Sequence, residues 1–430
     1  MSSPPRAAAL AATVVVVLAC SLLLSTGSST AGRAHGQSAR ADESIPAISV
    51  GSNPWFATYD RGNGYVYVVN SGGYAGSHNS SVSVISGLGV VSSITVGDYP
   101  WFATYDNMSG YVYVTNSNST TVSVIDGTSL ITTIGVGLYP EDPAFDSGNG
   151  YVYVPNLGTN NVSVIDGTHV IGSVPVGSEP WSATYDPGNG YVYVSCVNSS
   201  AITVIDGLAS VAQIDVGGAP GYDGYAVYDA GNGYIYISNS ELNTEDVIDG
   251  TTLVASIPVG LGPSFPAYDP VNGYVYVPNA LFPCEGGTAC IPSNSNVSVI
   301  SGTKVVATVN VGTHPYVALF DSTNGYVYVS NYNTGNVSVI NGTSLVGTLN
   351  VGGDPYVSAF DSANGYVYIV NSALDSVSVI SSTTIVGIGN PNPSPTNSGF
   401  LTAEGYVVIG GGIAGLVALA AVVAYRVRQK

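Results

Sequence analysis

Residues 110–116 read Gly-Tyr-Val-Tyr-Val-Thr-Asn, and near copies of the first five occur eight times between Gly64 and Ile369. Successive copies lie 46, 40, 40, 43, 40, 52 and 40 residues apart. This spacing matches one four-stranded blade of a β-propeller and is too short for an independent domain. The repeat therefore predicts an all-β propeller of four-stranded antiparallel blades, eight in number, over residues 45–389. The copies begin at Tyr65, Tyr111, Tyr151, Tyr191, Tyr234, Tyr274, Tyr326 and Tyr366.

Each repeat contains four short apolar runs, which we name strands a, b, c and d in chain order. In the second repeat they occupy residues 101–105, 111–115, 121–125 and 131–136. Tyrosine and valine alternate in strand b, so the tyrosines face one side of the sheet and the valines the other. Both faces are apolar and must be covered. This pattern predicts that each blade is stacked between two others.

The connections between the runs carry turn chemistry. Strands a and b are joined by Asp-x-x-(Asn/Ser)-Gly, as in residues 60–64, and strands c and d by Asp-Gly or Asn-Gly, as in residues 126–127. The aspartate side chain caps its own turn, and the glycine supplies a positive φ. Most of the carboxylates in these sequences are therefore expected to form tight hairpins.

The chain resembles a known repeat family at these residues. Tyr113-Val114-Thr115-Asn116 spells the tetrapeptide that names the YVTN β-propeller repeat family, and residues 328–331 are a close variant. The resemblance covers roughly residues 45–389 and includes a Val-Gly-x-x-Pro sequence before strand a. It implies a propeller like those of archaeal surface layers and bacterial extracytoplasmic proteins, often seven-bladed, so seven blades is the alternative to eight. In the fourth repeat Cys196 replaces the asparagine.

The ends of the repeat region suggest how the ring closes. Residues 45–50 have the sequence of a strand d without the strands that should precede it. Propellers avoid exposed sheet edges by letting one terminus complete the blade begun by the other. We expect residues 45–50 to pair with strand c of the last repeat, residues 377–380; the alternative is that residues 384–389 take this place beside strand c.

Both chain termini suggest an extracytoplasmic protein. Residues 1–34 have the basic start, apolar stretch and small residues of a signal peptide. Residues 405–425 are uncharged and long enough to cross a bilayer, and the basic tail at 426–430 is expected to be cytoplasmic. Residues 390–404 form a linker rich in Pro, Ser and Asn. The predicted protein is a cell-surface propeller held by a single membrane helix.

The charge balance restricts the possible ligands. The chain has a net charge of −19, yet only 8% of its residues are charged. Between the two apolar termini Arg61 and Lys304 are nearly the only bases, which argues against nucleic acid as a partner, although the family resemblance also implies single-stranded nucleic-acid binding as an alternative. Because carboxylates without basic partners lose little when protonated, an acidic environment is a further expectation.

Few residues of the sequence match catalytic or metal-binding patterns. The four histidines fall in separate segments, and no cofactor motif is present, so neither a metal nor a cofactor is expected. Glu141 and Asp142 are adjacent carboxylates that would suit acid–base chemistry, but adjacent residues of a strand point to opposite faces. The sequence favours a protein that is not an enzyme, with a hydrolase or lyase acting at the channel mouth as the alternative.

The residue after each loop proline is the candidate binding position. Loops b–c and d–a share one face of a propeller and carry the variation in this chain, including residues 279–296. Flat aromatic rings beside carboxylates suit sugar rings; the alternative is that the aromatics pack between blades as core. The post-proline residues are Trp55, Trp101, Glu141, Trp181, Gly221, Ser264, Tyr316 and Tyr356, with Glu179, His314 and Asp354 nearby.

Two covalent modifications fit an extracellular location. Cys284 and Cys290 share one loop and are expected to form a disulfide, which leaves Cys196 as a small buried residue. The Asn-x-Ser/Thr acceptors predict glycosylation at Asn79, Asn107, Asn118, Asn161, Asn198, Asn296, Asn336 and Asn341. The favoured function is an envelope, surface-layer or adhesion protein that assembles with itself or binds an extracellular glycan or protein.

Overall fold

The computed structural model describes residues 45–72, 80–280, 295–381, 400–401 and 407–408. Between residues 45 and 381 the chain forms eight four-stranded antiparallel sheets, which are blades 1 to 8 of a propeller. Strand a of each blade lies beside strand a of the next, and that of blade 8 lies beside that of blade 1. The ring is therefore closed and lined by strands a. Eight blades are confirmed, and the seven-bladed alternative is wrong.

The strands of each blade follow one another in chain order. Blade 1 contains β2 (Pro54–Asp60), β3 (Tyr65–Asn70), β4 (Ser81–Ser86) and β5 (Gly89–Thr95); blade 2 contains β6 (Pro100–Tyr105), β7 (Tyr111–Asn116), β8 (Thr121–Asp126) and β9 (Ser129–Gly135). Blade 3 contains β10 (Ala144–Asp146), β11 (Tyr151–Asn156), β12 (Asn161–Asp166) and β13 (His169–Pro175); blade 4 contains β14 (Pro180–Asp186), β15 (Tyr191–Cys196), β16 (Ala201–Asp206) and β17 (Ala209–Asp215).

The second half of the ring repeats this plan. Blade 5 contains β18 (Ala226–Asp229), β19 (Tyr234–Asn239), β20 (Thr244–Asp249) and β21 (Thr252–Pro258); blade 6 contains β22 (Ala267–Asp269), β23 (Tyr274–Asn279), β24 (Asn296–Ser301) and β25 (Lys304–Asn310). Blade 7 contains β26 (Pro315–Asp321), β27 (Tyr326–Asn331), β28 (Asn336–Asn341) and β29 (Ser344–Asn350); blade 8 contains β30 (Pro355–Asp361), β31 (Tyr366–Asn371), β32 (Ser376–Ile380) and β1 (Ala47–Ser49). Short 3-10 helices cover Gly221–Asp223, Tyr332–Thr334 and Ser372–Leu374.

The first strand of the chain completes the last blade. β1 pairs antiparallel with β32, with Ile48 opposite Val377. Ile48 is buried among apolar side chains of blades 8 and 1. The predicted closure by residues 45–50 is therefore confirmed, and β1 occupies the edge of β32 for which residues 384–389 were the alternative; those residues lie outside the described part of the chain.

Apolar side chains of neighbouring blades form the core. In strand b all residues after the first are buried on both faces, as the alternating tyrosines and valines predict. Tyr67 of blade 1, for example, packs with Val112 and Val114 of blade 2. Strands d lie outermost and expose most of their residues. Stacking of each blade between two others is what buries both faces of strand b.

The turn aspartates have a second role that the sequence did not reveal. Asp60 Oδ1 accepts the backbone N–H of Gly62 at 2.7 Å, as expected for a capped turn. The Tyr105 hydroxyl of the next blade also hydrogen-bonds to the Asp60 carboxylate, and burial together with this contact raises the pKa of Tyr105 to about 12. The aspartate therefore stabilises its own hairpin and joins it to the following blade.

A second inter-blade bond repeats around the ring. The inner tyrosine of strand b donates its hydroxyl hydrogen to the carbonyl of the c–d turn glycine in the next blade, at 2.8–3.0 Å. Tyr368 of blade 8 makes this bond to Gly87 of blade 1, across the closure. The pairs are Tyr67–Gly127, Tyr113–Gly167, Tyr193–Gly250, Tyr236–Gly302, Tyr276–Gly342 and Tyr368–Gly87.

Tyr113→Phe is expected to lower the free energy of unfolding by about 1 kcal/mol, because it removes one such bond and leaves the Gly167 carbonyl without this donor. Urea unfolding followed by circular dichroism measures the change. Tyr111→Phe, two residues earlier in the same strand, is the control and should change stability by less than about 0.5 kcal/mol. Equal losses for the two variants would contradict an energetic role for the bond.

The asparagine that ends strand b explains why the Val-Gly-x-x-Pro motif requires a glycine. Asn116 Nδ2 donates to the hydroxyls of Thr121 and Ser123 at 3.0 and 3.1 Å. A Cβ atom added to Gly97 would lie 2.4 Å from Asn116 Cγ, so the asparagine fits only beneath a glycine. In blade 4 Cys196 takes this place; it is free and buried, as predicted, and burial raises the pKa of its thiol to about 12.

Several sequence predictions fall outside the described residues. These are the signal peptide at 1–34, the linker at 390–404 apart from residues 400–401, the disulfide between Cys284 and Cys290, and the basic tail. No helix in the described ranges is long and apolar enough to cross a membrane. Of the predicted membrane helix at 405–425 only Val407–Val408 is described, and it forms β34, a short strand paired with β33 (Phe400–Leu401). The structure does not support a helix at these two residues, and the rest of the predicted membrane helix lies outside the described part of the chain.

Candidate functional site

The two faces of the propeller differ in regularity. The a–b and c–d turns lie on one face, which we call the turn face, and the b–c and d–a loops lie on the other, which we call the mouth face. Within the described ranges, every residue with positive φ on the turn face is a glycine. Eight residues other than glycine have φ between 47° and 58°, and all lie in mouth-face loops: Asn53, Tyr99, Tyr139, Asn160, Glu179, Asn243, His314 and Asp375.

Backbone strain of this kind helps to identify the face that carries the functional site. A side chain in the left-handed region costs on the order of 1 kcal/mol and persists only where the surrounding structure demands it. Five of the eight strained residues directly precede a loop proline, and His314 is one of them. The strain is thus concentrated beside the post-proline residues, which favours the mouth face as the functional one.

The aromatic post-proline residues meet at the centre of the mouth face. Trp55 packs against Trp101 at 5.7 Å and edge-on against Tyr356 at 4.8 Å between ring centroids. Trp101 contacts Trp181 at 6.1 Å, and Tyr356 stacks on Tyr316 at 4.7 Å. All three tryptophans of the chain are in this group. The predicted ring at the channel mouth is therefore formed by these five side chains from five blades.

An insertion in blade 5 completes the ring. Nine positions separate Pro220 from Asp229, whereas six separate the corresponding Pro100 from Asp106. The three additional residues allow a single 3-10 turn at Gly221–Asp223. Within this turn Tyr222 packs against Trp181 at 5.0 Å, and Asp223 Oδ1 accepts the hydroxyl of Tyr316 at 3.2 Å.

These contacts form a closed circuit that we call the collar: Trp55, Trp101, Trp181, Tyr222, Asp223, Tyr316 and Tyr356. It surrounds a cavity of about 390 Å³, which Tyr225, His314 and Tyr332 also line. Nine of the ten lining side chains are aromatic, and the tenth is Asp223. Pockets of this size, mostly apolar with few polar groups, are typical of small-molecule sites.

The collar residues also belong to the core. Trp181 and Tyr316 are buried, whereas Trp55, Trp101 and Tyr356 are half-buried. Trp181 packs in a cluster with Phe102 and Tyr225 beneath the mouth. The same aromatic side chains therefore pack in the core and line the cavity. Packing on one side holds the rings in place for contact with a ligand on the other.

Not every predicted site residue lines the cavity. Glu141 is 5% exposed and is absent from the cavity wall; its backbone N–H donates to the Pro155 carbonyl at 2.8 Å. Ser264 is fully buried, and Gly221 only begins the 3-10 turn. Glu179 lies in the rim, where its carboxylate accepts Asn198 Nδ2 at 2.7 Å. Glu141 is therefore placed beneath the surface, in contrast to the prediction, because β10 begins only at Ala144 and the segment before it bridges from Asp142 to Ser182 of blade 4.

Burial alters the acidity of the carboxyls near the cavity. It raises the pKa of Asp223 to about 7, despite hydrogen bonds from Tyr316 and Ser264 that favour the charged form. Burial likewise raises the pKa of Asp142 to about 7, although Ser182 donates to its Oδ2 at 2.8 Å. Burial and the adjacent Asp142 raise the pKa of Glu141 well above its usual range. All three carboxyls gain protons more readily than in water.

Four lining residues were missed in the sequence: Tyr222, Asp223, Tyr225 and Tyr332. Tyr222 and Asp223 lie in the insertion that lengthens the fourth interval to 43 residues, Tyr225 follows it, and this interval was the available signal. Tyr332 comes from the b–c loop of blade 7, where it packs against Tyr356 at 6.0 Å. Its position depends on how that loop folds over the mouth.

Several glycosylation candidates have structural roles. The side-chain oxygen of Asn161 accepts Asn156 Nδ2 at 2.9 Å, and Asn296 and Asn336 accept the equivalent bonds in blades 6 and 7. Asn107, Asn118, Asn198 and Asn341 are exposed, which keeps them accessible for modification. Asn79 lies outside the described residues. No group of three or more metal-ligating side chains occurs within the described ranges.

The comparisons with known proteins support the fold alone. No protein-family model matches the chain, and no curated protein matches it. The Kuenenia stuttgartiensis hydrazine synthase is 20% identical, with a TM-score of 0.52 over 66% of this chain and 96% of its own. The virginiamycin B lyase from Staphylococcus aureus with quinupristin is 12% identical, with a TM-score of 0.52 over 65% and 94%. The dihydro-heme d1 dehydrogenase NirN is 15% identical, with a TM-score of 0.57 over 84% of both chains. At these identities the chain is similar to each of them in being a propeller.

Proposed function

We propose that the protein is an extracytoplasmic ligand-binding propeller, anchored to the membrane, that captures an extracellular ligand in the collar. The observation that carries this proposal is the closed aromatic circuit around a cavity of about 390 Å³. Aromatic side chains provide large contact areas with little loss of conformational freedom. The apolar stretches at residues 7–24 and 405–425 support the proposed location.

The asymmetry of the ring supports binding of a defined ligand. If these residues only stabilised the centre of the ring, every blade could contribute the same residue. Instead, blades 3 and 6 contribute no lining side chain and blade 5 contributes three. The mouth-face loops vary and carry the strained residues, whereas the turn face repeats almost unchanged. Variation on one face of a repeat scaffold is typical of a recognition surface.

The fluorescence of the three tryptophans can be used to detect ligand binding in the collar. Excitation at the red edge of the absorption band selects tryptophan over the 31 tyrosines, so the emission comes from Trp55, Trp101 and Trp181 alone. We expect titration with a panel of neutral oligosaccharides, organic cations and short peptides to reveal a ligand that shifts this emission saturably. Calorimetry would then supply the affinity.

Trp101→Ala is expected to weaken binding of that ligand about 10- to 100-fold, because truncation of a central aromatic anchor typically costs 1–3 kcal/mol. Tyr139→Ala is the matched control: Tyr139 is an exposed aromatic of the mouth face that does not line the cavity. The Tyr139→Ala variant should bind the ligand with the same affinity as the parent protein. No binding by any ligand class in the panel, or equal losses in the two variants, would overturn the proposal.

A catalytic propeller is the second candidate. It is favoured by Asp223, which lines the cavity and whose pKa is raised by burial to about 7. A general acid or base is most effective near neutral pH when its pKa has this value. Several propellers of similar fold are enzymes by name, including a lyase and a dehydrogenase. Conversion of a bound ligand, abolished in Asp223→Asn with binding retained, would favour this function over simple capture.

A further inference from the structure

The chemistry of the cavity specifies a class of ligand within the proposed function. Of the ten side chains that line it, nine have aromatic rings and one has a carboxyl group. The only one able to carry positive charge is His314, which stacks against Tyr316 at 6.1 Å. An aromatic ring presents a negative π-face, and the carboxylate adds a full negative charge. Both features attract a cation.

The surrounding charges increase this attraction. Within the described ranges the lysine and arginine residues are Arg61, in the first a–b turn, and Lys304, at the start of β25. Both therefore lie on the turn face. In the described mouth-face loops there are carboxylates, including Asp98, Asp142 and Glu179, but no lysine or arginine. A concave site lined by one sign of charge raises the local concentration of ions of the opposite sign.

Asp142 extends the negative potential below the cavity. Burial is the main cause that raises the pKa of the lining residues Tyr225, Tyr316 and Tyr356. The Asp223 carboxyl adds to this rise at all three, and the Asp142 carboxyl adds to it at Tyr225. Both carboxyls are thus within electrostatic range of the cavity wall. No Lys or Arg in the described part of the chain lies close enough to neutralise them.

The shortage of charged hydrogen-bond acceptors selects the kind of cation. A primary ammonium or guanidinium group must replace its lost water with several strong acceptors, whereas the cavity supplies one carboxyl, already bonded to Tyr316, and otherwise phenolic hydroxyls, indole N–H groups and an imidazole. A sugar ring has the same requirement through its hydroxyls. A quaternary ammonium group has no N–H to satisfy, and aromatic cages recognise such groups through cation–π contact.

We propose that the collar binds a small organic cation with a methylated ammonium group, held by its aromatic rings and by the Asp223 carboxylate. This inference rests on the proposed function and names its ligand class. The cation needs no metal, cofactor or covalent step. Its methyl groups contact the rings, and its charge is balanced by the acidic mouth face.

Choline and its neutral isostere, in which a tert-butyl group replaces the trimethylammonium group, provide the test. They have nearly the same shape and differ in charge. At about pH 8, where the Asp223 carboxyl is mostly ionised, we expect choline to quench collar tryptophan emission with an affinity at least about tenfold higher than that of the isostere. Glycine betaine, which adds a carboxylate, should bind more weakly than choline because the mouth face is acidic.

The Asp223→Asn variant tests whether the charge of the ligand, rather than its shape, determines its affinity. It is expected to weaken choline about tenfold and to change the affinity of the neutral isostere by less than twofold. Trp101→Ala should weaken both. Circular dichroism verifies that each variant is folded; if Asp223→Asn does not fold, added salt serves instead and should weaken choline but not the isostere.

The outcomes distinguish this inference from the proposed function. Equal affinities for choline and the isostere would overturn the cation proposal, as would binding of oligosaccharides without binding of choline, and either result would leave the collar as a ligand site. No perturbation of tryptophan emission by any class of compound would overturn both.

Discussion

Lowering the pH from about 8 to about 5 is expected to raise the free energy of unfolding of this protein, the reverse of ordinary acid denaturation. Buried or partly buried carboxyls are responsible, among them Glu141, Asp142, Asp223, Glu245 and Asp246. In each of them burial is the largest cause that raises the pKa. The folded chain therefore binds protons that the unfolded chain releases.

The sign follows from linkage. When the folded pKa lies above the unfolded one, stability is fully present below the unfolded pKa and is lost as the pH rises towards the folded pKa. For Asp142 and Asp223 these limits are 3.8 and about 7. Each carboxyl of this kind changes stability by about 1.4 kcal/mol per pH unit within that window. Two of them are enough for a rise of several kcal/mol between pH 7 and pH 5.

Blade 5 allows a direct test of the cause. Glu245 and Asp246 occupy positions that hold valine and serine in most other blades, such as Val122 and Ser123. Glu245 is completely buried and accepts the Ser238 hydroxyl at 3.0 Å. The double variant Glu245→Val with Asp246→Ser restores the common pattern. It should be more stable than the parent at pH 8, and its stability should depend less on pH.

Urea unfolding at several pH values measures both effects. The control is Asp206→Asn, because Asp206 is exposed in a c–d turn where blade 7 already has an asparagine, Asn341. This variant should keep the pH dependence of the parent. A parent protein whose stability is flat or falls between pH 8 and pH 5 would contradict the role of buried carboxyls.

Ile48→Asp is expected to destabilise the protein by about 3–5 kcal/mol, because it places an unpaired charge between blades 8 and 1. Ile48 is 7% exposed and packs with side chains that include Ala57, Val66 and Val377. β1 is also the only covering of the β32 edge in the described residues. Loss of this strand would open the ring at its closure.

Ala47→Asp is the matched control, since Ala47 is exposed in the same strand and the substitution introduces the same charge. It should change stability by less than about 0.5 kcal/mol. Hydrogen exchange at Val379, whose N–H donates to the Pro46 carbonyl at 2.8 Å, should accelerate in Ile48→Asp alone. If Ile48→Asp prevents folding, Ile48→Ala provides a milder test with an expected loss of about 2–5 kcal/mol. Equal stability of the two aspartate variants would show that closure does not depend on β1.

The fold could be predicted from the sequence because local and global signals agree. The period of about 40 residues, the strand alternation and the turn residues all indicate the same blade, and the orphan strand at 45–50 indicates how the ring closes. The inter-blade bonds of Tyr113 and of the turn aspartates could not be predicted, since they join groups whose proximity depends on the stacking of blades.

The candidate site was only partly predictable. Trp55, Trp101, Trp181, Tyr316 and Tyr356 share one position of the repeat, so the repeat itself places them together. Asp223 and Tyr222 come from an insertion that breaks the repeat, and residues that break a pattern cannot be placed by it. Glu141 follows the repeat in sequence but lies beneath the surface, because its segment bridges to strand a of blade 4 and strand a of blade 3 begins only at Ala144.

The pairing of β1 with β32 determines the order of folding. Residues 47 and 378 are partners, so the blade that contains the beginning of the chain cannot be finished until nearly the whole propeller has been synthesised. Contacts between such distant residues carry the largest loop-closure entropy and form late. During synthesis β1 would remain unpaired while blades 1 to 7 assemble in succession, and apolar Ile48 would stay accessible to chaperones until the final blade forms.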